Sequence, residues 1–124
     1  MVADCDVEFT DEFETWWNTL TEAEQAAVDG HVLALEEHGV KLGFPRTSDV
    51  KGSRHGQMRE LRIKSGGQIR VLYAFDPRRA AILLIGGDKT GNDRWYEEFV
   101  PKADDLYDAH LEMLRLEGWI PKDS

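Results

Sequence analysis

The sequence predicts an α+β fold: two N-terminal helices and a C-terminal helix packed on a small, largely antiparallel twisted sheet, in the order β-α-α-β-β-β-α. Apolar residues recur at helical spacing at both ends of the 124-residue chain. Between those ends lie three short apolar runs separated by turns rich in Gly, Pro and Asp. The length and an apolar fraction of 41% suit one domain with a real core, without metal or disulfide staples. We expect that domain over residues 1–118, followed by a short tail over 119–124.

Residues 4 to 9 alternate Asp4, Asp6 and Glu8 with Cys5, Val7 and Phe9, the period of a strand with one wet face. Being short and acidic, it suits a sheet edge. Thr10 can cap a helix whose Phe13, Trp16, Trp17 and Leu20 share one face. Thr21 and Glu24 then fit a capping box for a second helix, presenting Val28, Val32 and Leu35 and running to about His38. Gly39 is a natural left-handed stop. Residues 40–57 read as one long irregular stretch, with Gly43, Pro45, Gly52 and Gly56. Strands follow at 58–64, 69–75 and 80–86, the last two apolar at nearly every position and so covered on both faces. Ser65-Gly66-Gly67 and Asp76-Pro77-Arg78-Arg79 supply the turns of an antiparallel meander. A last helix starts near Asn92 or Asp93, is broken, bent or restarted at Pro101, and buries Ala103, Leu106, Tyr107, Leu111 and Leu114 before Gly118.

The net charge of −9 hides a strong partition. Residues 1–40 hold eleven acids and no Lys or Arg, whereas residues 41–94 hold twelve bases against five acids. A cationic centre between anionic ends suggests one surface for a polyanion and another that repels it. Cys5 is the only cysteine, which excludes an internal disulfide and a thiolate metal cluster. His31, His38, His55 and His110 are scattered, with no carboxylate spacing that suggests a shared metal. No run of 18 apolar residues and no signal-type N-terminus is present, so a soluble, cytoplasmic protein is the simplest expectation.

The loop VKGSRHG, the strand pair in MRELRIKSGGQIRVLYAFDPRR and the segment GGDKTGNDRWY resemble the RelE/ParE superfamily, closest to its HigB-like, phage-derived branch of type II toxin–antitoxin systems. The likeness covers roughly residues 5–114 and implies a single RelE-like toxin domain. It implies a toxin that inhibits translation as a ribosome-dependent, metal-independent mRNA endonuclease. Its partners would be the ribosome, mRNA and a cognate antitoxin of helix-turn-helix type, with no cofactor and no membrane. Two other outcomes stay open: a ParE-like inhibitor of DNA gyrase without nuclease activity, and a catalytically decayed antitoxin-binding module.

Metal-free RNA cleavage needs a proton acceptor for the 2′-hydroxyl, a donor for the leaving 5′-oxygen and cations around the phosphorane. Arg70 lies in an apolar strand and cannot be neutralised, so it needs either a ligand or a salt bridge such as one to Glu60. The resemblance implies a contact from Arg70 to the scissile phosphate. It also matches Tyr96 to a family tyrosine that stacks on a base or moves a proton, and Lys89 to a basic residue after the last strand. A free phenol with a pKa of about 10 is a poor base, so adjacent cations, Arg94 or Lys89, are expected to favour its phenolate. Arg62 shares a face with Glu60 and Lys64, whereas Arg59 points to the opposite face with Leu61 and Ile63. Lys51, Ser53, Arg54 and His55 form a compact phosphate-binding set, which Arg59 and Arg94 extend. By resemblance, His55 could pair with Asp88 or Asp93 for acid–base work, unless it is simply an exposed loop histidine. The catalytic candidates are therefore Arg70, Tyr96, Lys89, Arg62 and His55.

Overall fold

The computed structural model describes residues 5–121, so Asp4 of the predicted first strand and tail residues 122–124 lie outside it. Five strands order as β1-β5-β4-β3-β2: β1 (Val7–Phe9), β2 (Thr47–Asp49), β3 (Arg59–Lys64), β4 (Gln68–Phe75) and β5 (Ala81–Asp88). Helices α1 (Asp11–Trp17) and α2 (Glu22–His38) follow β1, and α3 (Trp95–Leu116) closes the fold. The pair β1 and β5 is parallel and every other pairing is antiparallel. The acidic first strand thus lies at an edge, as its shortness and charge predict.

Local chemistry sets each boundary. Thr10 Oγ1 accepts from Phe13 N (3.0 Å) and donates to Leu84 O (2.7 Å), which caps α1 and ties it to β5. The reciprocal Thr21–Glu24 capping box is present, with bonds of 3.1 and 2.9 Å. Gly39 ends α2 at φ +54°, its N–H donating to Leu35 O. At the far end, Gly118 (φ +82°) donates to Arg115 O and Trp119 to Leu114 O, the paired bonds of a Schellman stop. Trp119, where the predicted tail begins, also stands 5.5 Å from the Arg78 guanidinium across its ring.

Two expectations are corrected. The stretch 40–57 is not wholly irregular, because Thr47–Asp49 pairs with Leu61–Arg59 as β2. Nothing in Thr-Ser-Asp alternates. The strand is held by tertiary bonds, with Thr47 Oγ1 donating to Glu60 O (2.8 Å) and lying 2.7 Å from Tyr73 Oη. Pro101 neither breaks nor restarts the last helix, which runs unbroken over 22 residues. Pro101 is exposed, so the carbonyl left without its amide partner can turn to water.

The sheet is covered on both faces. Leu61, Ile63, Ile69, Val71, Tyr73 and Leu83 pack with Phe13, Val28 and Leu35 of the first two helices. Leu72, Ala74, Ile82 and Leu84 pack with Trp95, Val100, Ala103 and Tyr107 of α3. This is why β4 and β5 read as nearly continuous apolar runs. The β4–β5 register skips at Leu72/Tyr73, which face Ile85 and Leu83. Beyond that bulge the wall of β5 consists of Gly86 and Gly87, because two indoles press on it. A Cβ at Gly86 would lie 2.4 Å from the Trp16 ring, and one at Gly87 2.7 Å from Trp95 Nε1. Gly86→Ala is therefore expected to cost about 1–3 kcal/mol through overpacking against a rigid ring. A urea midpoint equal to the parent's would show that Trp16 moves aside freely.

Candidate functional site

Strand β3 carries Glu60 and Arg62 on the face toward α3, and β4 places Arg70 directly opposite Arg62. These side chains meet around a buried carboxylate. Glu60, only 4% exposed, accepts from Tyr96 Oη (2.6 Å) at Oε1 and from Ser48 Oγ (2.7 Å) and Arg62 Nη1 (3.3 Å) at Oε2. Arg70 Nε lies 3.6 Å from Oε1, beyond a good hydrogen bond, and is buried without another partner. Arg70 Nη1 donates to Ile69 O (3.0 Å). Lys89, held just past β5 by a bond from its amide to Gln68 O (3.0 Å), places Nζ 5.8 Å from the Tyr96 ring centre. Four sequence-predicted residues, Arg62, Arg70, Lys89 and Tyr96, are thus brought together. Glu60, which sequence reasoning offered only as a salt-bridge partner of Arg70, is the group that joins them.

The first turn of α3 supplies Tyr96. Asn92 bends the chain into the helix, its Oδ1 accepting from Arg94 N (3.0 Å) and its carbonyl from Trp95 N (3.2 Å). Trp95 then stacks on Phe99 and meets Tyr96 edge-on, which fixes the phenol over the sheet. Burial, then the hydrogen bond and charge of Glu60, push the Tyr96 pKa above its ordinary value, and the nearby Arg70 offsets them only in part. This corrects the expectation of a cation-favoured phenolate: Tyr96 is a neutral phenol donating to a carboxylate. Arg94 makes its ion pair with Glu97 (3.0 Å), and Lys89 lies over the ring rather than at the oxygen.

The loop set belongs to a different place. Asp104, Asp105 and Asp108 of α3 claim it. Ser53 Oγ donates to Asp104, whose other oxygen accepts from Arg54 N (3.0 Å). The Arg54 guanidinium pairs with Asp105 (3.2 Å) and Asp108. His55 Nε2 lies 2.7 Å from Asp108 Oδ1, with its ring edge-on to Tyr107. The carboxylate beside His55 is therefore Asp108, not Asp88 or Asp93. Asp88 instead organises its own turn, accepting from Thr90 N (2.9 Å) and Gln68 N (3.2 Å). Asp108 is twelve residues beyond Tyr96 on one helix, roughly 18 Å along its axis. The catalytic expectation for His55, and the phosphate-binding one for Ser53 and Arg54, thus meet side chains already engaged in fastening the loop to α3. Arg59, on the opposite sheet face, pairs with Asp49 (3.0 Å). Lys51 is exposed and has no ion pair among the described residues.

A shallow depression of about 440 Å³ adjoins the cluster at the end of β3 and is lined by His31, Phe44, Arg46, Arg62, Lys64 and Arg70. Phe44 and Arg46 were not singled out from the sequence. The available signal was an aromatic and an arginine flanking Pro45 in a loop, and the partner that gives it meaning, Arg62, lies 18 positions away.

The family described as phage-derived protein Gp49-like matches residues 15–108. Two proteins of Mycobacterium tuberculosis, provisionally named toxin HigB2 and toxin HigB3, are similar in sequence. The first is 42% identical over 99 residues, covering 77% of this chain and 49% of that protein. The second is 41% identical over 111 residues, 89% of each. The chain thus spans about half the length of one relative and most of the other. The fold is similar to a free-state mutant of E. coli toxin RelE, with a TM-score of 0.56 at 14% identity over 82% of this chain and 98% of that one. The intact E. coli RelBE toxin–antitoxin complex gives a TM-score of 0.55 at 9% identity, over 68% and 95%.

Proposed function

Because this chain belongs to the phage-derived Gp49-like family, in the HigB-like branch of the RelE/ParE superfamily, we propose that it is the toxin of a type II toxin–antitoxin module and cleaves mRNA on the ribosome. The observation that supports this reading is the Glu60 carboxylate holding Tyr96 while Arg62, Arg70 and Lys89 surround the pair. Arg62 and Lys89 are partly exposed and can reach a phosphate, whereas Arg70 sets the potential from beneath. As the 2′-oxygen attacks phosphorus, its proton passes to Tyr96 Oη while the phenol's own proton moves to Glu60. The phosphodiester bond to the 5′-oxygen breaks, and Lys89 protonates that leaving group, leaving a 2′,3′-cyclic phosphate. No metal is required in this sequence. A cognate antitoxin, expected to be of helix-turn-helix type, would restrain the toxin.

The test is induction without antitoxin, with cut sites mapped by primer extension. Codon-positioned cuts are expected in translated messages, falling about 10²-fold in Tyr96→Phe and in Glu60→Gln. Growth arrest with intact ribosome-bound messages would exclude the nuclease. The 3% exposure of Arg70 favours one other reading, a ParE-like gyrase inhibitor, which predicts DNA damage signalling with mRNA unchanged.

A further inference from the structure

Resting on the reading that this site handles single-stranded message, we propose that Phe44 is a stacking platform for an unpaired RNA base, flanked by Arg46 and Lys64 as phosphate contacts. Phe44 is 76% exposed although its ring is fully apolar, and it lies outside both buried clusters. Its ring lies beside a cation: the Arg62 guanidinium stands 5.5 Å from the ring centre. The depression around it contains four cations and His31, and no carboxylate lines it. Elsewhere in the basic middle of the chain, Arg54, Arg59, Arg78 and Arg94 are all matched to carboxylates. Among the described residues, Arg46 and Lys64 have no ion pair, and both are exposed. Unmatched positive charge beside an exposed aromatic is the chemistry that holds single-stranded nucleic acid, cations tracking the backbone and the ring taking a base. A duplex does not fit this description, because its bases already cover each other's faces.

Arg62 makes the platform continuous with the proton-transfer cluster. The same guanidinium lies against Phe44 and donates to Glu60 (3.3 Å), and Arg70 borders both regions. A nucleotide stacked on Phe44 therefore leads its backbone past Arg62 toward Tyr96 and Lys89. The platform positions the strand and takes no part in the proton transfers.

The experiment measures anisotropy of a fluorescein-labelled RNA octanucleotide at low salt, with the full chain in a Tyr96→Phe background that keeps the RNA intact. Phe44→Ala is expected to weaken binding about tenfold, Phe44→Leu similarly, and Phe44→Trp to hold or tighten it. The log–log salt slope should stay unchanged in Phe44→Ala and shrink by about 0.7 in Lys64→Ala. An octanucleotide of abasic sites should bind parent and Phe44→Ala alike. Affinity within twofold of the parent for Phe44→Ala, or parent-like binding by Phe44→Leu, overturns the platform. So does a loss confined to antitoxin binding, which would assign Phe44 to a protein interface. Mapping of cuts separates the two proposals. Tenfold loss of RNA affinity with no message cleavage by the parent leaves the platform and removes the nuclease, and cleavage without any Phe44 effect does the reverse.

Discussion

Arg70→Ala is expected to lower message cleavage by about 10²-fold or more, the scale seen when a preorganised transition-state donor is removed. The side chain is 3% exposed between Ile69 and Val71, so its charge is held at low dielectric, where it acts strongly on Tyr96 and on phosphate charge nearby. The same burial carries a stability cost for the variant. Glu60 would lose a counter-charge 3.6 Å away but keep Tyr96, Ser48 and Arg62 as donors. We therefore expect a loss of about 2 kcal/mol, below the 3–5 kcal/mol of a buried pair broken outright. The stability part is read in the double variant and the catalytic part in the single one. Adding Glu60→Gln to Arg70→Ala removes the orphaned charge, so the urea midpoint should recover. Cleavage is measured in Arg70→Ala alone, under conditions where it stays folded, because Glu60→Gln itself lowers cleavage. Cleavage within a few-fold of the parent in Arg70→Ala alone would take it out of the site altogether.

The fold was legible wherever the information is local. Thr10, Thr21 and Gly39 act on their own neighbours, so caps and stops can be read directly. The doubly covered strands β4 and β5 show as unbroken apolar runs because helices lie on both sides of them. What stayed hidden depends on contacts distant in sequence. Thr47–Asp49 becomes a strand only through Glu60 and Tyr73, and the proline in α3 is harmless only because its face is exposed. The charge partition was real along the chain and misleading in space. Arg54 is surrounded by the acids of α3, and Arg78 reaches Glu8 on the first strand, so much of the positive middle is neutralised across segments. Convergence of Arg62, Arg70, Lys89 and Tyr96 could be expected from family likeness. The reason for it, the buried Glu60 carboxylate that Tyr96 and Arg62 donate to, depends on contacts up to 36 positions apart.

Asp76→Ala is expected to be the most destabilising single change of those considered, at about 3–5 kcal/mol. The carboxylate is buried in the turn between β4 and β5 and all its capacity is used. Oδ1 accepts from Arg78 N (2.8 Å) and Ala80 N (3.2 Å), and Oδ2 from Arg78 Nη2 (2.7 Å), Arg78 Nε (2.9 Å) and His110 Nε2 (2.8 Å). Arg78 continues to Glu8 (2.9 Å), so Asp76 is linked to β1 through Arg78 and to α3 through His110. Asp76→Asn should recover little, since its amide nitrogen would face donors on Arg78 and His110. Burial alone would raise the Asp76 pKa, but the bonds from His110, Arg78 and Ala80 outweigh it and the value falls below the ordinary one. A carboxylate with a depressed folded pKa stabilises the fold above its unfolded pKa of about 3.9, and that stability drains away as pH drops through the folded value. The parent should therefore lose stability steeply below about pH 4, and the two Asp76 variants much less over the same range. Urea midpoints at pH 7, 5 and 3.5 give the comparison. Parallel curves for parent and variants would place the acid-sensitive group elsewhere, because the protons taken up on unfolding would not then be going to this turn.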